Sequence, residues 1–451
     1  MTPLDASRVR RQGPAHVVLF SLFSLATVIH QGGGARAATE APLPPAPAPA
    51  AAATPNGVAR LSLTESLGLF LKQNLDLLIA KYGIETSKGQ QITARLLPNP
   101  VLQVGNVASF TQGNTIATTG GITSQVQQLF EIAGKRGYRI ESAGYGVQSS
   151  EAEFEDAVRQ LSFAVKDAYF RVQLAQRRLA LAEENRDRFA RILDVNTIRF
   201  KKGYIAEIDL IRIRLQMVDF QSQVIAAIQE AESARADLRQ LLRISAGTKL
   251  ELTTELDYRR VDPDIAKLRS TAVQARPDIR AKRASFSQRE ADLKLAKAYR
   301  YPDVTVGAGY AVQGPRGPDN QQMALLNFGV PLPLFNRNQG GIVQAEVAVQ
   351  AAQADLDKTI NQAENEVDVA YHNLLQSRRL VEAYLSGVLD DARATFTIVE
   401  RAYERGGATI LDLLDAARTS RTIQQNFIEA LFSYQHNLFQ LESAVGQEVA
   451  S

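Results

Sequence analysis

The chain has no cysteine. That excludes a disulfide framework and thiolate metal sites, so stability has to come from packing or assembly. It has no surplus of charge, with 51 Lys plus Arg against 48 Asp plus Glu in 451 residues. This balance leaves no basic footprint for nucleic acid, and no such partner is expected. Beyond residue 37 there is no run of 18 apolar residues, so any entry into a membrane is expected as a β-barrel rather than a helix. Proline is absent from 101 to 262 and from 334 to 451. Because proline breaks helix interiors, both stretches have room for very long helices.

The opening residues carry a different signal. Arg8, Arg10 and Arg11 precede an apolar run from Val17 to Ile29, and Ala35-Arg36-Ala37 forms an A-x-A site. This predicts a secretory signal peptide over 1–37; the alternative is an uncleaved anchor. Its removal takes four Arg and one Asp and leaves 47 residues of each sign. No Cys follows the apolar run, so no lipid-bearing Cys is expected at the mature N-terminus. Residues 38–60, rich in Pro and Ala, read as an extended tether.

The chain repeats itself at a spacing of 202 to 203 residues. Asn74-Leu75-Asp76 matches Arg276-Pro277-Asp278, and Asn99-Pro100 matches Tyr301-Pro302. Val165 and Ala168-Tyr169 match Val367 and Ala370-Tyr371. Gly203 matches Gly406, and Asp209 matches Asp412. Two copies of one unit are therefore expected, over 61–260 and 261–446, with a tail at 447–451. Each reads as helix, strand, strand, long helix, turn and return helix. The fold class expected is mixed and mainly α.

Heptad seams mark the long helices. In the first copy Phe154, Val158, Leu161, Val165, Ala168, Val172, Ala175, Leu179, Ala182, Arg186, Phe189 and Leu193 follow alternating steps of four and three. The helix around them, about 137–200, is on the order of 90 Å long. The return helix, about 207–243, carries Leu210, Ile213, Met217, Phe220, Val224, Ala227, Ala231, Ala234, Leu238 and Leu241. The second copy repeats the scheme over about 340–402 and 410–445. Its seams run through Val367, Ala370, Leu374, Val381, Tyr384 and Val388, then Leu413, Ala416, Ile423, Phe427, Ala430, Tyr434 and Leu441. Helices alone leave open an ordinary bundle or rod.

The strands narrow the choice. In 303–313 Val304, Val306, Ala308, Tyr310 and Val312 share one face, and Thr305, Gly307 and Gly309 lie on the other. In 321–332 Ala324, Leu326, Phe328, Val330 and Leu332 share a face. A turn at 314–318 separates the two strands. Strands at 101–111 and 116–130 repeat the hairpin, with Leu102, Val104, Ala108 and Phe110, then Ile116, Ile122, Val126 and Phe130, on the apolar side. Each segment is long enough to span a bilayer when tilted. Four strands cannot close a barrel, and an open edge in lipid is forbidden. Strands in a membrane therefore require several chains to share one barrel, and three chains would supply twelve strands.

These features over about 60–446 resemble the TolC-like outer-membrane efflux proteins. The resemblance implies a homotrimer with one shared 12-stranded barrel in the outer membrane of a Gram-negative cell. Beneath it would stand a periplasmic helical tunnel closed by an iris. It implies a passive conduit in an RND-type tripartite pump, with a periplasmic adaptor and a proton-driven inner-membrane transporter as partners. The stretch from Tyr403 to Ala416, YERGGATILDLLDA, resembles the family's tip motif. There, two Asp facing the channel axis match Asp412 and Asp415, a cation-attracting ring. Tyr403 matches a tyrosine that holds the tip closed, and Asp209 matches its partner. Gly203 and Gly406 mark the two tip turns. An arginine of the closing network is replaced by Ala408.

Two further segments resemble the heavy-metal efflux branch, namely Gln128 to Arg136 (QLFEIAGKR) and Pro331 to Gly340 (PLPLFNRNQG). Divalent cations, cobalt and nickel first, are the cargo this resemblance implies. Tight metal binding is not expected: past residue 37 only His372 and His436 remain, in no spaced pair. Gly134-Lys135-Arg136 lacks the upstream Gly and the Ser/Thr of a phosphate loop. No G-x-S-x-G elbow is present, so neither enzymatic activity nor a cofactor is expected. The two Asp of the tip also admit a plainer role, as acids at a helix start. The rival reading of the whole is a periplasmic coiled-coil adaptor or scaffold without a pore.

Overall fold

The computed structural model describes residues 57–107, 121–313 and 322–449. The expected signal peptide, most of the tether and the 314–318 turn lie outside these residues. So do Ala108, Phe110 and Ile116.

The first half runs β1 (Val58–Leu61), α1 (Leu63–Gln73), α2 (Leu75–Arg95), β2 (Val101–Val107), β3 (Gly121–Phe130), α3 (Lys135–Lys201) and α4 (Glu207–Leu241). The second runs β4 (Lys249–Leu252), α5 (Ile265–Ala275), α6 (Pro277–Ala298), β5 (Val304–Gln313), β6 (Gln322–Gly329), α7 (Gln339–Ala383), α8 (Leu389–Glu404) and α9 (Ile410–Val445). A π-helical turn, Tyr384–Val388, separates α7 from α8.

Three features depart from the sequence expectation. The helix before each hairpin is two helices, divided at Asn74 and Arg276, both extended. Asn74 caps α2 by accepting from the amides of Asp76 and Leu77 at 2.9 and 3.2 Å. Pro277 opens α6, where its missing N–H costs nothing. Second, the end of the expected tether is a strand: β1 pairs in parallel with β4, Val58 opposite Lys249. Third, the second long helix is not continuous. Gly387 sits inside the π turn at φ 122°, a conformation that L side chains rarely adopt. The seam fails there, and Val388 is exposed.

Elsewhere the seams are buried or half-buried. Leu210, Ile213, Phe220, Val224, Ala227, Ala231, Ala234 and Leu238 are all buried on α4. The main core joins α1, α3, α4, α5, α7 and α9 around Tyr169 and Tyr434. Both phenols are fully buried and their hydroxyls are satisfied. Tyr169 donates to Leu61 O at 3.0 Å and accepts from Thr254 N at 2.9 Å. Tyr434 donates to Arg259 O at 2.7 Å and accepts from Val261 N at 3.2 Å. A buried hydroxyl without such partners costs about 1–3 kcal/mol.

β2, β3, β5 and β6 form one antiparallel sheet in that order, with β3 and β5 in register from Gly121–Gln313 to Phe130–Val304. The register puts Leu102, Val104, Ile122, Val126 and Tyr310 on one face with Leu326 and Phe328. That face is exposed, Phe328 by 75%. The other carries Gln103, Gln125, Gln127 and Asn327, whose amides are joined by hydrogen bonds. The outer edges of β2 and β6 have no partner among the described residues.

Candidate functional site: the helical tips

α3 and α8 end in the same way. Gly203 donates to Phe200 O at 2.9 Å and Tyr204 to Arg199 O at 2.9 Å. Gly406 donates to Tyr403 O at 3.1 Å and Gly407 to Ala402 O at 2.8 Å. Both are Schellman turns, with Gly203 at φ 75° and Gly406 at φ 80°. The matched glycines are therefore the left-handed residues that each turn needs.

The two return helices start differently. α9 opens with a capping box: Thr409 Oγ1 accepts from Asp412 N at 3.2 Å, and Asp412 Oδ2 accepts from Thr409 N at 2.8 Å. The Thr409 hydroxyl also donates to Asp412 Oδ2 at 2.7 Å. This bond, with the backbone amide, holds the Asp412 carboxyl below its ordinary range. The plainer role weighed for Asp412 is thus present. Asp415, one turn on, is exposed and makes no ion pair or hydrogen bond among the described residues. α4 opens at Ala206 without a side-chain cap, with Glu207 and Asp209 in its first turn.

Tyr403 is buried in the tip cluster with Phe189, Ile192, Ile213, Phe396 and Leu413. Its hydroxyl donates to Asn196 Oδ1 at 2.7 Å. Within the chain, then, the bond expected toward Asp209 goes to Asn196. Asn196 is 1% exposed and donates its amide to Ile192 O at 2.7 Å. Burial pushes the Tyr403 hydroxyl up; the Arg199 cation opposes this, and the field of Asp209 adds to it. The phenol therefore stays protonated and able to donate. Asp209 itself lies 3.7 Å from Arg212.

Two more side chains span α3 and α8. Arg188 reaches Glu400 at 2.6 Å and lies 4.2 Å from the Phe396 ring. Arg199 donates to Glu404 O and sits 5.7 Å from the Tyr403 ring. Cavities of about 530 and 610 Å³ flank these links. Ala408 lines the second and carries no polar group there. Asn196, Arg188 and Arg199 were missed from sequence. A polar residue near a helical seam was the available signal, as with Arg186 elsewhere on α3.

Among the described residues no group of three or more His, Asp or Glu is placed to hold a metal ion. His436 is spent on Asp167, at 2.6 Å. No helix among those residues is long and apolar enough to cross a membrane.

A sheet that turns a continuous apolar face outward, joined to paired long helices, is the surface a membrane-inserted protein presents. The chain belongs to the outer membrane efflux protein family, whose profile matches residues 67–242 and 268–447. Membership excludes the adaptor reading. The chain is 28% identical over 361 residues to the cobalt-zinc-cadmium resistance protein CzcC of Cupriavidus metallidurans, covering 80% of this chain and 84% of that protein. It is 25% identical over 235 residues, 52% of each chain, to the nickel-cobalt-cadmium resistance protein NccC of Alcaligenes xylosoxydans xylosoxydans. Its fold matches the crystal structure of the CusC transmembrane channel with a TM-score of 0.73 at 20% identity, over 87% of this chain and 94% of that one.

Proposed function

We propose that this chain is the outer-membrane channel of a tripartite efflux pump and exports divalent heavy-metal cations, cobalt and nickel first. The observation that carries the reading is the four-stranded sheet with an exposed apolar face and two edges that have no partner among the described residues. Backbone groups at an open edge cannot be left unpaired in hydrocarbon. Three chains pool their strands into a 12-stranded barrel and their helices into one periplasmic tunnel. Residues 1–37 direct export, and a periplasmic adaptor and an RND-type inner-membrane transporter supply the energy. CzcC and NccC, both named for metal resistance, support the cargo.

In this reading the tips form the gate. Three copies of Asp412 and Asp415 ring the axis and draw in cations. Gly203 and Gly406 shape the turns, and Tyr403, with Asp209 nearby, holds the closed state. Because Asp412 is engaged by its own cap, Asp415 is the freer charge. Asp415→Asn therefore weakens block of the pore by divalent cations more than Asp412→Asn.

The first test is the protein mass of the detergent-extracted particle, measured by light scattering. Three chains per particle is the expected result. A soluble monomer that needs no detergent sinks the reading.

A further inference from the structure

The segments that join helices to the sheet at its helix-proximal end are 95–100, 131–139, 299–303 and 330–338. Together they hold six basic residues and two acidic ones. Both acids are consumed inside the fold. Glu131 is held by Arg139 at 2.9 Å. Asp303 accepts from Lys135 Nζ at 2.7 Å and from Ile132 N at 3.1 Å. Lys135 is itself 2% exposed and lies 5.3 Å from the Tyr299 ring.

Four arginines are left over, all exposed and none with an acidic partner among the described residues: Arg95, Arg136, Arg300 and Arg337. Two belong to each hairpin, all at the helix-proximal end of the sheet. Arg136 donates to Arg95 O at 2.7 Å. Asn338 donates to Ala296 O at 2.8 Å and seats the Arg337 loop on the end of α6, the helix that runs into Arg300. Around them the same segments expose large apolar groups, Phe335 by 91%, Leu332 by 75% and Leu97 by 66%. Exposed aromatic and aliphatic side chains flanked by arginines that no carboxylate neutralises suit one kind of surface, in which acyl chains end and phosphates begin.

We infer that this collar is a binding surface for the headgroups of anionic phospholipids in the membrane leaflet nearest the helices. The inference rests on the barrel reading above. Phe335 and Leu332 enter the acyl boundary, and the arginines attract the lipid phosphates as positive charges held at headgroup level. The charge repeats in every protomer, so a trimer presents a closed basic ring. Asp303 gives the collar its rigidity, because it joins the segment before β5 to the start of α3.

The test uses the purified full chain in detergent, titrated with phosphatidylglycerol or with phosphatidylcholine of the same acyl chains. Retained lipid per particle and the unfolding temperature are read together. The expected result is preferential retention of phosphatidylglycerol, weakened by salt and falling about fivefold for each arginine removed. Combined Arg95→Gln, Arg300→Gln and Arg337→Gln abolishes the preference without changing the particle mass. The same three positions changed to Lys keep most of it, which separates charge from misfolding. Equal retention of the two lipids by the wild type overturns the collar while leaving a three-chain particle, and so the channel, intact. Equal stabilisation by free inorganic phosphate also overturns it.

Discussion

The two long hairpins are built to one plan and reinforced in different places. In the first, α3 runs unbroken for 67 residues and the return helix starts without a side-chain cap. In the second, the outgoing helix is jointed at Gly387 and the return helix starts from a full capping box. The turns between them are alike down to the left-handed glycine. What differs is where the backbone is free to change. A continuous helix resists bending, whereas a π turn with one residue at φ 122° is already a bend. One half acts as a strut and the other as a jointed arm.

The comparison can be broken at its shared part first. Ile213 and Leu413 are fully buried in one tip cluster, one from each half. Truncating either to Ala is expected to cost about 2–5 kcal/mol in chemical unfolding. A large difference between the two shows that the tips do not share a core. Next is the joint. Gly387→Ala puts a side chain where φ is positive, with strain of about 1–3 kcal/mol, so the helix should straighten. Spin labels on α7 and α8 would then move apart. An unchanged distance means that packing, and not the glycine, sets the bend.

The link between halves comes third. Tyr403→Phe leaves Asn196 Oδ1 without its donor and should cost about 1–3 kcal/mol. Adding Asn196→Leu should recover part of that loss, and purely additive costs would dismiss the bond. The smallest effect lies at the caps. Thr409→Ala should cost about 1 kcal/mol, while Ala206→Thr should stabilise the other tip by a comparable or smaller amount. The same cap carries a pH dependence. The Asp412 carboxyl is held below its ordinary value of 3.8. Its contribution is present above that value and is lost as pH falls through the lowered pKa. Thr409→Ala should flatten that acid limb in a pH series.

Most of the helical plan was legible because it rests on periodicity. The seam from Leu210 to Leu241 reads directly from the chain and is buried almost throughout. The alternating faces of 303–313 match the register of β5. The missing parts depend on distant partners. β1 and β4 are four residues each and gain meaning only from pairing across the chain. Gly387 looks like any glycine in a helical stretch. Asn196 looks like a surface residue until Tyr403 covers it. At the tip, glycine spacing pointed to both turns, but the acceptor of the Tyr403 hydroxyl could not be read from spacing.

The open edges of β2 and β6 also shape the life of the chain before assembly. An unassembled chain carries a water-exposed apolar sheet whose two edges are unpaired among the described residues, a template for adding the wrong strand. The helices, whose contacts are more local, can form ahead of it. Until those edges find partners, they are the part of the chain most open to mispairing. The open edge that lets strands join a larger sheet is also what lets them join the wrong one.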